Sequence, residues 1–110
     1  MVRSKSEQII YDALIRAGIP FRYEAKLYIN GKYFVPDFTI LLPDGTPIYW
    51  EHFGMTIDAD YMLANKRKLE IYEEYGITQW NNLIVTFDNI RYGLSSAIVD
   101  GYINDILSRF

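Results

Sequence analysis

Three strand-like runs follow one another between residues 21 and 53, with only short turns between them. That succession limits the possible folds more than any other feature of the chain. Residues 21–29, 32–42 and 48–53 are rich in Tyr, Phe, Ile and Val, side chains that suit a pleated, half-buried surface. Asn30-Gly31 is a strong hairpin turn between the first two runs, and Pro43-Asp44-Gly45-Thr46 marks the next turn. A helix is expected before them, because Ser4-Lys5-Ser6-Glu7 has the form of a capping box and Ile9, Ile10, Ala13, Leu14 and Ala17 recur at helical spacing up to Gly18-Ile19-Pro20. A second helix is expected from Asp58 to Tyr75, followed by Gly76-Ile77, then a short buried strand over residues 82–88. A third helix would carry Ile98, Val99, Tyr102, Ile103, Ile106, Leu107 and Phe110 on one face, capped by the preceding serines. The order αβββαβα predicts one α/β domain over residues 1–110, with a central mixed four-stranded sheet flanked by helices.

A chain of 110 residues buries enough surface for one core, and a composition of 50% hydrophobic and 23% charged residues excludes disorder and fibrous repeats. With no cysteine, disulfide frameworks, thiolate zinc sites and a Cys nucleophile are excluded, which favours a reducing compartment. The N-terminal MVRSKSEQ has no apolar signal core, and no later stretch approaches the length of a membrane span, so a cytoplasmic protein is expected. Net charge is −3, which is not the balance of a protein that holds nucleic acid by charge alone. The charges are unevenly spread, however. Six Lys/Arg against three acids occupy the segment through Lys32, whereas residues 33–65 hold five acids and no Lys or Arg. A cation site set within a polyanion-binding surface would have this pattern; so would ordinary surface scatter.

Asp37 and Glu51 are the acids out of place. Asp37 lies in a run apolar on both faces, and Glu51 is flanked by Trp50 and Phe53, so each needs a partner to offset its burial. Either each is satisfied locally, Asp37 in a turn after Pro36 and Glu51 by a Lys or Arg, or the two act together. Register decides between these readings. In an antiparallel pair, opposed residue numbers have a constant sum, and the two acids share a face only if that sum is even. A three-residue loop at Asp44-Gly45-Thr46 makes it even, opposing Asp37 to Phe53 and Glu51 to Thr39, with the two carboxylates diagonal neighbours. Two carboxylates so placed can close on one cation. With one histidine and no cysteine in the chain, oxygen donors favour Mg²⁺ or Mn²⁺ over zinc.

Val35-Pro36-Asp37, thirteen intervening residues and then Glu51-His52-Phe53, within this order of elements, resemble the PD-(D/E)XK nuclease superfamily. The wording YWEHFG, followed by a helix ending YEEYGI, is similar more narrowly to its short members, helicase-associated or distantly like very-short-patch DNA repair endonucleases. The resemblance spans nearly the whole chain. It implies a restriction-endonuclease-like fold, hydrolysis of DNA phosphodiester bonds, and a helicase domain as a partner in the parent protein. It further implies that Asp37 and Glu51 are metal ligands, that the His52 backbone carbonyl is another, and that Glu7 is the first-helix acid near the metal. Glu7 has a competing role as the last residue of the capping box.

Where the family carries a lysine two residues after the glutamate, this chain has Phe53. Either the lysine has migrated, or the domain is an inactive nucleic-acid-binding or protein-interaction relative. Lys66, Arg67 and Lys68 form a run in the second helix. At about 100° per residue, Lys68 falls among Tyr61, Leu69, Tyr72 and Tyr75, with Lys66 toward the flank and Arg67 nearly opposite. Lys68 is therefore the expected catalytic lysine, with Lys66 the second candidate. Arg3, Lys5 and Lys66 are expected to meet nucleic acid, and Arg22, Lys26 and Lys32 are further basic residues that could meet phosphate. The His52 side chain should point away from Glu51 by strand alternation, and the ten tyrosines read as a set as core-boundary residues rather than a base-stacking surface.

Overall fold

The computed structural model describes residues 2–54, 57–79, 81–89, 91 and 93–110. Helix α1 (Lys5–Ala17) begins at Ser4, whose hydroxyl accepts from the Glu7 amide, and ends at Gly18 in the left-handed region at φ 69°. Six strands follow the sequence as β1 (Phe21–Tyr23), β2 (Leu27–Ile29), β3 (Lys32–Phe34), β4 (Phe38–Leu41), β5 (Pro47–Phe53) and, after helix α2 (Ala59–Glu74), β6 (Leu83–Phe87). Helix α3 (Ser96–Leu107) closes the described chain.

The main sheet has four strands in the order β1-β4-β5-β6. Its β1-β4 and β4-β5 pairs are antiparallel and its β5-β6 pair is parallel. It is therefore a mixed sheet, as the order of elements predicts. Two expected strands are each broken in two. The runs 21–29 and 32–42 part at Glu24, which takes a positive φ of 53°, and at Pro36-Asp37. These breaks face each other, since the Glu24 amide donates to the Asp37 carbonyl at 3.0 Å. The segment between them leaves the sheet as a separate hairpin, β2-β3, turning at Asn30-Gly31 with φ 49° and 79°. Two successive positive φ values are what a tight hairpin turn of this hand requires.

Helices cover both faces of the sheet. Ile10 and Leu14 of α1 and Val99, Ile103 and Ile106 of α3 pack with Phe38, Ile40, Ile48 and Trp50 on one face. On the other, Tyr72 of α2 and Ile29 of the hairpin pack with Phe53, Leu83 and Val85. The buried stripe of α3 is narrower than its sequence suggests, because Ile98, Leu107 and Phe110 are exposed. Only one line of the helix can meet a sheet already shared with α1. Likewise Tyr72 is buried on α2, while Tyr61 and Tyr75 remain exposed.

The turn between β4 and β5 corrects the expected register. Phe38 faces Trp50 and Ile40 faces Ile48, so opposed numbers sum to 88 rather than 90. The loop is Pro43-Asp44-Gly45 rather than residues 44–46, with the Leu42 amide donating to the Thr46 carbonyl and the Gly45 amide to the Leu42 carbonyl. Pro43 suits the first central position of that turn, Gly45 takes φ 86°, and Asp44 Oδ1 accepts from the Thr46 amide and hydroxyl. These local preferences move the loop by one residue and leave the sum even. Continued one step beyond β4, this register opposes Asp37 directly to Glu51 instead of diagonally.

Candidate active site

Where β4 begins and β5 ends, both helical layers reach the end of the sheet around a cleft of about 410 Å³. Arg3 and Glu7 come to it from the α1 side, Asp37 and Glu51 from the sheet, and Lys68 from α2, with Asp88 just beyond β6. Glu51 is 1% exposed and alternates with Trp50 and His52, so its side chain lies on the α2 face. The Tyr72 hydroxyl donates to Glu51 Oε2 at 2.8 Å, and Lys68 Nζ stands 3.3 Å from the same oxygen. Lys68 and Tyr72 are one helical turn apart, which is why one helix face supplies both. Burial, with the Glu51 charge and the hydrogen bond to it, pushes the Tyr72 hydroxyl far above its ordinary range, so it remains a donor.

Asp37 ends the strand ladder in an unusual way. In β4 and β5 the backbone groups of the even-numbered residues face each other, as the bond from the Leu42 amide to the Thr46 carbonyl shows. The next such pair would be Pro36 with His52. Proline has no N–H to donate, and the His52 amide gives its proton to Asp37 Oδ2 at 2.7 Å instead. The His52 carbonyl, on the same edge of the strand as its amide, thus has no ladder donor from Pro36 and lies toward Asp37. Burial pushes the Asp37 carboxyl up to about 7; the His52 amide and Lys68 oppose this, while Glu51 and Glu7 add to it.

The Glu7 amide is capped by Ser4, and the Glu7 carboxylate accepts from the Tyr23 hydroxyl at 2.6 Å at the margin of the cleft. Arg3 lines the cleft but pairs with Glu24 at 2.8 Å. Lys5 is exposed at the start of α1, and Lys66 lines a neighbouring apolar groove with Phe53 and Phe87 rather than the cleft.

The His52 ring lies on the opposite face from Glu51, and its partners were not legible in the sequence. Its Nδ1 is 2.8 Å from Thr86 Oγ1 and its Nε2 is 2.8 Å from Asp88 Oδ1. The Trp50 indole can only donate, and it donates to Thr86 Oγ1 at 3.1 Å. The Asp88 carboxylate can only accept, so for a neutral imidazole Nε2–H points at Asp88 and Thr86 gives its proton to Nδ1. The Ser6 hydroxyl also donates to Asp88 Oδ1, so both sides of this carboxylate oxygen are held. The available signal for Asp88 was its place, an acid at the carboxyl end of a buried strand parallel to β5.

Among the described residues, no three His, Asp or Glu side chains are gathered closely enough to hold an ion by themselves. The donors in the cleft still suit Mg²⁺ or Mn²⁺, because such ions are commonly held by one or two carboxylates and keep several waters. Asp37 and Glu51 would supply the carboxylates and the His52 carbonyl a third oxygen. Asp37, desolvated by burial and standing beside Glu51 and Glu7, is a carboxyl group whose ionised form a divalent cation would stabilise. No family model, curated protein or solved structure matches this chain.

Proposed function

We propose that the protein is a metal-dependent nuclease of the PD-(D/E)XK type, with a restriction-endonuclease-like fold, that hydrolyses DNA phosphodiester bonds. The observation that carries this reading is the meeting of Asp37, Glu51 and Lys68 in one cleft, with Lys68 Nζ 3.3 Å from a nearly sealed Glu51. The lysine missing after Glu51 in the sequence is supplied from α2, so Phe53 does not by itself argue for a lost activity.

Asp37, Glu51 and the His52 carbonyl would hold Mg²⁺ or Mn²⁺, which when bound supplies an activated water and neutralises phosphate oxygens. Tyr72 fixes Glu51 by donating to one of its oxygens, leaving the other for a ligand. Lys68 orients the attacking water and offsets charge developing on the phosphate, since its ammonium is only partly exposed and its stem is carried on a packed helix. Glu7, held by Tyr23, sits at the margin as an acceptor for a water of the site. DNA repair or processing beside a helicase module is the setting this activity fits.

The test is incubation of the purified protein with labelled single-stranded, duplex and branched DNA in Mg²⁺, Mn²⁺ or EDTA. Cleavage that EDTA stops, and that Asp37→Asn and Glu51→Gln each abolish, is the expected result. Salt-sensitive binding without cleavage under every condition would support an inactive DNA-binding domain instead.

A further inference from the structure

The hairpin β2-β3 has one buried face and one open one. Leu27, Ile29 and Phe34 turn inward onto Tyr72 and its neighbours. Alternation then turns Lys26, Tyr28 and Tyr33 outward. Tyr28 and Tyr33 face each other across the hairpin with ring centroids 6.1 Å apart, and they are 67% and 56% exposed. They depart from the core-boundary placement of Tyr23 and Tyr49, which are half-buried. Two large rings held side by side in water form a platform of the kind on which unpaired bases stack.

Charge and position single out the occupant. Residues 25–36 contain Lys26 and Lys32 and no acid, in a chain of net charge −3. Lys26 Nζ lies 4.6 Å from the centroid of the Tyr33 ring, and among the described residues neither lysine is in an ion pair. The open face also leads into the cleft. Continuing the pairing of Leu27 with Phe34 by one residue opposes Lys26 to Val35, and Val35 lines the cleft that holds Asp37 and Glu51. Val35 is two residues beyond Tyr33 on the same side of the chain, roughly 7 Å along a strand.

We propose that the outer face of the hairpin is a single-strand docking platform: unpaired bases flanking the scissile phosphate stack on Tyr33 and Tyr28, and Lys26, on the same face, meets an adjoining phosphate. This rests on the DNA substrate of the preceding reading and narrows it to DNA with an unpaired strand at the cut site. An incoming base displaces Lys26 from the Tyr33 ring, a solvent-exposed contact on a flexible stem, and the freed ammonium moves to phosphate.

The test is binding of the full chain in EDTA, where metal-assisted cleavage cannot interfere, to a fluorescent oligothymidylate and to a duplex of equal length. Tyr28→Leu/Tyr33→Leu should weaken single-strand binding about tenfold or more and change duplex binding less than twofold. Tyr28→Phe/Tyr33→Phe, which keeps both rings, should bind as the parent does. Lys26→Gln should reduce the slope of log K against log salt by about 0.7, the value of roughly one single-strand phosphate contact. Photocrosslinking with an iodouracil-substituted oligonucleotide should mark Tyr28 or Tyr33. Parent-like affinity of the leucine pair, an equal loss on duplex and single strand, or crosslinks only outside the hairpin would overturn the proposal and leave the rings as a hairpin-stabilising pair. Tyrosine-dependent binding by a parent that never cleaves would defeat the nuclease reading alone; metal-dependent cleavage with tyrosine-independent binding would defeat this one alone.

Discussion

Asp37 shows at the scale of a residue how the site is prepared. Buried beside Glu51 and Glu7, it binds a proton up to about pH 7 in the fold and only to the ordinary carboxylate range, 3.8, in the unfolded chain. The folded state therefore holds more protons between these values, and metal-free stability must fall as pH rises from about 4 to 7, by a few kcal/mol at most. Denaturant unfolding across that range should show the fall, and Asp37→Asn should remove most of it. Saturating Mg²⁺ should reverse the trend, because the ion binds the ionised form. A slope in Asp37→Asn equal to the parent's would mean that another group carries it. Tyr72 gives a second test. Its hydroxyl donates to a Glu51 that is almost sealed from water, and Tyr72→Phe should cost about 1.5–3 kcal/mol of stability in the absence of divalent ions, measured by the same unfolding.

At the scale of elements, what was legible in the sequence followed the reach of the chemistry. The Ser4 cap, the Gly18 terminus and the Asn30-Gly31 turn depend on a few neighbouring residues, and each lies where its sequence puts it. The proximity of Lys68 to Glu51 could be anticipated because the acid is buried and helical spacing leaves one lysine on the apolar side of α2. The breaks at Glu24 and Pro36 could not, since they are matched to each other across paired strands. Asp88, Thr86 and Ser6 escaped notice because Thr86 and Asp88 meet His52 only through the parallel pairing of β5 with β6, and Ser6 meets Asp88 only through the approach of α1. The β4-β5 loop was misplaced by one residue because the preference of Pro43 outweighed a position for Gly45 at the loop centre. Gly45 has open space around it and φ 86°, so Gly45→Ala should destabilise through the backbone alone, by about 1 kcal/mol. It lies at the end of the strands away from the cleft, and calorimetric titration should find its Mg²⁺ affinity equal to the parent's; a weaker affinity would mean that register at the site depends on this turn.

Across the whole molecule, the mixed sheet brings two helical layers to one edge, and no helix among the described residues is long and apolar enough to cross a membrane. The cleft joins α1, the sheet and α2, so none of its parts makes the site alone. In the proposed function, Lys68, arriving from α2, completes a metal-dependent nuclease built on Asp37 and Glu51. Single-turnover cleavage of labelled DNA by the parent and by Lys68→Ala, at saturating Mg²⁺ and with DNA affinity measured alongside, tests that claim most directly. Metal-dependent cleavage by the parent is expected, with a rate about 100-fold or more lower in Lys68→Ala and DNA affinity within about twofold, as for a group acting mainly in the transition state. Equal rates in the two proteins, or no metal-dependent cleavage by the parent, would contradict it.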